Sequence, residues 1–420
     1  MESKVIGEGQ YGCIHNPALK CKYKKISNYN DKISKIMTKE AANEEMDEYS
    51  EINAVDPENK YHLEPDECTP DDSIKIKEYV LKCKKGQTII SDFNNYKLIL
   101  MKYGGPDLKK IFTQNMKKTP DNRERISNFW EDALDLFKAV KLFLENGLIH
   151  HDFKPDNIVY NEQTNNLKVI DFGLLKKKEF IIQKSKESNY GFSIFWFNFP
   201  PEMFLYDKIV YEGIKEFGKY NPNKTDMRTK IRVYFRGKNE KDYTESIKFL
   251  MAYVKSEHQH PQFKENIING FLDFVNYTIS TRYEGGLSHE DFLRKSIDTI
   301  DSYGLGMTLM FVLVRVHHLM EKDLVQKLHT LFYNMFHPDL RKRMNINDAL
   351  QQYDNIITSH SLPPLPPLSL AKLPPPLPPL SLAKLPPPPL PPLSPVPIKI
   401  KTRKYKKSKS KSTSIRRNTI

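Results

Sequence analysis

Cysteine is scarce: Cys13, Cys21, Cys68 and Cys83 are the only four in 420 residues, and none form a CxxC pair. So few thiols in so long a chain do not make the disulfide framework of a small secreted domain. Ordinary reduced thiols are the expectation, with a zinc site the weaker alternative. Long hydrophobic runs are lacking too. The most apolar stretch, LGMTLMFVLV (305–314), stops at Arg315 and is too short to span a bilayer. The opening MESKVIGEGQ lacks the basic-then-apolar pattern of a secretory leader. The P-loop pattern GxxxxGK[ST] is absent, which argues against a Walker-type nucleotide-hydrolysing domain. Acidic residues disappear near the end: residues 361–420 hold 12 Lys/Arg and no Asp/Glu, leaving 53 of the 65 basic residues against all 52 acidic ones. The net charge of +13 therefore belongs to a tail, and the body is close to neutral. A soluble intracellular, cytoplasmic protein is expected, with nuclear entry through the basic tail open.

What is present falls into four stretches. Residues 3 to about 100 alternate short strand-like runs with charged turns: SKVIGEGQYGCI reads as strand, glycine turn and strand, and DKISKIMT (31–38) and KLILMKY (97–103) as further strands. One helix is expected here, EAANEEMDEYSEINAV (40–55). From about 105 the pattern turns helical, with 126–147 reading as one long amphipathic helix and 301–322 and 323–336 as two more. Near 360 the register changes. LPPLPPLSLAK and LPPPLPPLSLAK are near-copies with PxxP spacing, expected as extended polyproline II, and KIKTRKYKKSKSKSTSIRRNTI (399–420) reads as a disordered basic end.

Three motifs carry chemistry. In the first, a strand–glycine–strand flap built from Ile6, Gly7, Glu8, Gly9, Gln10, Tyr11, Gly12, Cys13 and Ile14 can lay backbone amides over a triphosphate. A dinucleotide fold uses the same glycine spacing but needs a helix next, and Cys13-Ile14-His15 before Pro17 argues for a strand. In the second, Lys35 on the following strand could reach the α and β phosphates if a carboxylate holds it. Glu48 is the choice, from its distance to the end of its helix at Val55, with Glu44 and Glu51 as alternatives. The third is LIHHDFKPDNIVY (148–160), followed by Ile170-Asp171-Phe172-Gly173. Phosphoryl transfer asks for positioning and charge neutralisation more than covalent chemistry. Asp152 suits the base, Lys154 a cation on the γ-phosphate, and Asn157 with Asp171 the oxygen ligands of Mg²⁺.

This combination resembles the eukaryotic-type serine/threonine protein kinases over about residues 3–352. The resemblance implies an α+β, two-lobed protein-kinase-like fold: a β-rich N-lobe (1–103), a mainly helical C-lobe (104–355) with an insertion (203–296), a proline-rich linker (356–398) and a disordered basic tail (399–420). It implies ATP and Mg²⁺ as cofactors and protein hydroxyls as substrate. Met101 looks like the gatekeeper, Lys102 and Tyr103 like the adenine-facing hinge, and Asp107 like a ribose contact. Pro200-Pro201-Glu202 resembles the APE motif, Asp301-Ser302-Tyr303-Gly304-Leu305-Gly306 the DxWxxG helix, and Arg343 the partner of Glu202. Lys154-Pro155 is the serine/threonine pattern, although SIFWFNFPPE lacks the usual Gly-Thr, which implies a remodelled acceptor pocket. The flap, YGGPDL, the insertion and the Lys/Asn-rich composition look like the divergent kinases of large nucleocytoplasmic DNA viruses, which would place the protein in host cytoplasm and virion.

His151 stands where that family carries an arginine that reads a phosphate on the activation loop. A histidine near neutral pH cannot form the arginine's charged fork. Activity independent of phosphorylation at Ser185, Ser188 or Ser193 is the expectation. The PxxP repeats suit SH3 or WW domains, and the basic end a non-specific acidic partner, nucleic acid or membrane surface. A catalytically retired scaffold acting through the insertion and tail is the alternative.

Overall fold

The computed structural model describes residues 2–8, 12–114, 116–188, 198–220, 269–270, 273–275 and 287–360. Gly9, Gln10, Tyr11, Ser193, most of the 203–296 insertion, the proline repeats and the basic tail lie outside these residues.

The N-terminal part is one antiparallel sheet in the order β1-β2-β3-β5-β4: β1 (Lys4–Glu8), β2 (Gly12–Asn16), β3 (Lys32–Thr38), β4 (Asp66–Cys68) and β5 (Tyr96–Lys102). Strand β5, YKLILMK, is buried along most of its length. Register matters for the site. Glu8 faces Cys13 across the flap, Ile14 pairs with Lys35, and Lys35 pairs with Ile99, so the lysine lies one strand from the flap. A side chain at Gly12 would meet the Ile36 carbonyl at 1.6 Å, so the close pairing of β2 on β3 requires glycine.

Helix α1 (Lys39–Val55) starts directly from β3, with the Thr38 hydroxyl accepting the Ala41 N–H. Two helices that the sequence reading did not anticipate follow, α2 (Ile74–Leu81) and α3 (Gly86–Ser91). Ile74 and Ile76 alternate with lysines like a strand, but Ile76, Tyr79 and Val80 turn inward against Leu98 and Leu100 while Ile74 is left exposed. The thiols are a second correction. Cys13 pairs with Cys83 and Cys21 with Cys68, leaving no free cysteine. Chain separations of 70 and 47 residues hid these pairs; the sheet and its helical cover bring their Cα atoms to 6.3 and 5.8 Å.

The C-terminal part is mainly helical. The expected single helix over 126–147 is two, α4 (Leu108–Phe112) being followed by α5 (Pro120–Asp132) and α6 (Leu134–Glu145) with a break at Ala133. Short strands β6 (Leu148–Ile149), β7 (Ile158–Asn161), β8 (Asn166–Val169) and β9 (Lys176–Lys177) frame the polar loop of interest; β7 pairs with β8 and β6 with β9. Beyond come α7 (Lys178–Lys186), α8 (Lys208–Tyr220), α9 (His289–Ile297), α10 (Ile300–Val316), α11 (Lys322–Met335) and α12 (Ile346–His360). Helix α10 is apolar nearly all round, and all but Val314 and Arg315 of it is buried, the pattern of a central core helix. Among the described residues no single helix is long and apolar enough to cross a membrane.

Candidate functional site

The loop between β6 and β7 is held from below by α10. The Asp301 carboxylate accepts the backbone N–H groups of His150 (2.7 Å) and His151 (2.8 Å). Burial pushes the Asp301 carboxyl up to about 7, against the pull of those two N–H groups. Above it a column of rings runs toward the sheet: His150 packs on Phe172 at 5.0 Å, and Phe172 on Tyr49 of α1 at 5.2 Å. His151 is buried, with φ +67, and its ring Nδ1 lies 3.3 Å from the Ile149 carbonyl. Burial drives its pKa down to about 3, so it is neutral and offers no charge to a phosphate.

Asp152 is the focus of the loop. Its Oδ2 accepts from the Lys154 ammonium and from Asn157 Nδ2 at 2.7 Å, and its Oδ1 accepts from Asn198 Nδ2 at 3.1 Å. Sequence reasoning named the first three residues and missed Asn198. A signal was there: Asn198 is the lone polar residue in FWFNFPP.

The hairpin β7–β8 sets Asn157 beside the segment that carries Asp171, with the Ile170 N–H donating to the Asn157 carbonyl at 2.9 Å. Because Asn157 spends its amide N–H on Asp152, its side-chain oxygen is the atom left for a cation. Asp171 is exposed, at φ +64, and its carboxylate has no hydrogen bond or ion pair among the described residues. An amide oxygen and an open carboxylate, with no sulfur or imidazole, fit a hard cation such as Mg²⁺.

On the sheet side the Lys35 ammonium pairs with Glu45, not with Glu48. The inward stripe of α1 is Ala41, Tyr49 and Ile52, and Glu45 lies at its centre. Glu44, Glu48 and Glu51 follow the neighbouring face: Glu44 and Glu51 are exposed and Glu48 sits at the border. Packing of that stripe against the core, not the acidic spacing, selects the carboxylate that meets Lys35. Half-burial raises the Glu48 carboxyl to about 7, with Lys176 opposing and Glu45 and Asp171 adding to the rise. Replacing Glu45 by Ala is expected to lower phosphate transfer roughly 10²-fold by releasing Lys35, whereas Glu48→Gln stays near wild type; initial rates at saturating ATP measure both.

Met101 is buried, and its sulfur accepts the Tyr49 hydroxyl at 3.4 Å. The Tyr103 N–H donates to the Asp31 carbonyl at 2.8 Å. Asp107 caps α4, accepting from the Lys110 N–H at 2.8 Å, and pairs with the Lys110 ammonium at 2.9 Å. Glu8, at the end of β1, is tied to Lys84 by its N–H (2.8 Å) and its ammonium (2.9 Å), next to the Cys13–Cys83 bond. Ile6, Gly7, Gly12 and Ile14 occupy the two strands of the flap.

Residues 1–203 match the protein kinase domain family model. A probable casein kinase II subunit alpha homolog of Encephalitozoon cuniculi is 26% identical over 128 residues, 30% of this chain and 37% of that protein. The serine/threonine-protein kinase prpf4B of Dictyostelium discoideum is 49% identical over 41 residues, 10% of this chain and 5% of that protein. The human cell division cycle 7-related protein kinase is 43% identical over 44 residues, 10% of this chain and 8% of that protein. The chain thus spans well under half the length of these curated relatives. The fold is that of a protein kinase domain, a β-sheet N-terminal region joined to a helical C-terminal region.

Proposed function

We propose that this chain, which carries a protein kinase domain, is an ATP-dependent serine/threonine protein kinase. The observation that carries the reading is the Asp152 carboxylate, held on both oxygens by Lys154, Asn157 and Asn198 beside the open Asp171 carboxylate. Asp152 takes the proton of a substrate hydroxyl while that oxygen bonds to the γ-phosphorus and the bond to the departing ADP oxygen breaks. Lys154 neutralises charge as it moves onto the transferred group, and Lys35, fixed by Glu45, holds the α and β phosphates. Asn157 and Asp171 would hold Mg²⁺, which supplies charge neutralisation on the phosphates when bound. A scaffold without chemistry would have no use for this set of donors around one carboxylate. Phosphate transfer from radiolabelled ATP to casein or to the chain itself, beside Asp152→Asn, tests the proposal; wild-type protein that binds ATP and magnesium but labels no protein overturns it.

Serine/threonine preference rests on Lys154-Pro155 and on the name of one relative, the serine/threonine-protein kinase prpf4B. The finer likeness to kinases of large nucleocytoplasmic DNA viruses belongs to the same proposal and rests on the flap, YGGPDL and the long insertion. So do an SH3- or WW-type partner for the PxxP repeats, an acidic partner for the basic end, and an intracellular site of action.

The proposal extends to regulation. Helix α7 occupies the stretch after Asp171 where a phosphate switch would act, and it is anchored without one. Ile181 and Ile182 are buried against Phe199, Met203, Phe292 and Leu293, each worth roughly 1.5–3 kcal/mol. Exposed pairs Lys186–Glu290 (2.6 Å) and Arg294–Glu179 (3.0 Å) join α7 to α9 and add little individually. Ser185 is fully buried on α7, out of reach of a modifying enzyme. Protein with Ser185, Ser188 and Ser193 all changed to alanine is expected to keep near-wild-type transfer rates; a loss of about tenfold or more would overturn phosphorylation-independent activity.

A further inference from the structure

Asn198 ends a run of aromatic residues, immediately before Phe199 and the Pro200-Pro201-Glu202 turn, and its side chain is 1% exposed. Burying an amide is unfavourable unless both of its ends are satisfied. Here only one is. Nδ2 donates to Asp152 Oδ1 at 3.1 Å, while the amide oxygen is buried with no hydrogen-bond partner among the described residues. The opposite amide orientation would set that oxygen against the Asp152 carboxylate, so the hydrogen bond fixes which way the group points. A leucine of similar size would fill the space without leaving an orphaned acceptor. The amide is therefore there for Asp152.

The surroundings explain how so short a side chain reaches the base. Helix α10 comes very close to the loop at Gly304, where a Cβ would lie 2.8 Å from the Phe153 carbonyl and 3.5 Å from the Asn198 carbonyl. One helix thus supports the backbone on both sides of the Asn198–Asp152 contact. Below it, the Asp301 carboxylate on the same helix holds the His150 and His151 N–H groups. Among the described residues Asp152 Oδ2 carries two donors, whereas Oδ1 carries Asn198 alone. Oδ1 is then the oxygen with lone-pair capacity left for a substrate proton, and Asn198 sets its direction.

We propose that Asn198 is a positioning residue for phosphoryl transfer, its amide fixing the rotamer of Asp152 so that Oδ1 faces the attacking hydroxyl. The proposal rests on the kinase reading and adds to it a role for the segment that lacks the usual Gly-Thr. The test uses the full chain with casein as acceptor, measuring kcat, KM for ATP and ATP affinity. Asn198→Ala should lower kcat roughly 10²-fold, since small displacements of a reacting group cost that much, with KM for ATP and ATP affinity unchanged. Asn198→Asp, identical in size, should lose more, because it sets a second carboxylate against Asp152. In an Asp152→Asn background the further loss from Asn198→Ala should vanish, as it does for residues that act as one unit. A role in packing alone predicts the reverse: losses that multiply in full, lowered ATP affinity in Asn198→Ala, or wild-type kcat in Asn198→Asp, and any of these overturns the proposal. If wild-type protein transfers no phosphate the kinase reading falls. If it transfers and the Asn198 variants match it, only the positioning role falls.

Discussion

Replacing Arg343 by alanine is expected to destabilise the protein by about 3–5 kcal/mol, the usual cost of stranding one partner of a buried ion pair. Both side chains of the Arg343–Glu202 pair are fully buried. Burial works against the Arg343 charge, and the Glu202 carboxylate more than offsets it, holding the guanidinium pKa above its ordinary value. The geometry is a two-pronged fork, Nη1 to Oε1 and Nη2 to Oε2 at 2.9 Å, with further bonds to the Thr299 hydroxyl (3.1 Å) and the His337 carbonyl (3.0 Å). Glu202 also accepts from Ser296 at 2.8 Å, and Ser296 shares a hydrogen bond with Tyr206 at 2.9 Å. Arg343→Ala would leave the Glu202 carboxylate in a dry interior without its counter-charge, still accepting the Ser296 hydroxyl. Lysine in its place keeps the charge but cannot reproduce the fork. Replacing both partners, as Glu202→Leu with Arg343→Met, removes the buried charges together and should recover much of the loss. Urea unfolding midpoints of the single and double variants decide the matter; a single-variant loss below about 1 kcal/mol, the scale of an exposed pair, would contradict the buried network.

Asp152→Asn is expected to reduce phosphate transfer by about 10²–10⁴-fold, the range attributed to a positioned general base. The substitution keeps size and shape, so the loop should still fold and ATP should still bind. It removes the proposed proton acceptor and also sets an amide N–H either against Asn198, in place of Oδ1, or against Lys154 and Asn157, in place of Oδ2. The loss should therefore appear in kcat, with KM for ATP little changed. Single-turnover transfer to casein separates the chemical step from product release. A decrease of less than about tenfold would move the general base to another residue.

The polar loop of the candidate site was legible because its spacing is local. Asp152, Lys154 and Asn157 lie within six residues, and a hairpin of fixed register carries the chain on to Asp171. The strands of the flap and the start of α1 were legible for the same reason, since β-branched alternation and a threonine cap act over a few residues. Glu45 was missed because six acidic residues share one helix, and only the packing of Tyr49 and Ile52 against the rest of the core says which face turns inward. The split at Ala133 was invisible for a comparable reason: both halves carry apolar residues at helical spacing.

What the sequence by itself determined is the order of the parts of the candidate site: a glycine flap, a lysine strand, a polar loop with Asp152, and Asp171 beyond it. Tertiary structure decided which carboxylate holds Lys35, which thiols pair, and that Asn198 reaches Asp152 across 46 positions of chain. Those three depend on contacts between segments far apart in the chain. Such contacts are fixed by sheet register and by the burial of aromatic and aliphatic faces, and no spacing within one segment encodes them.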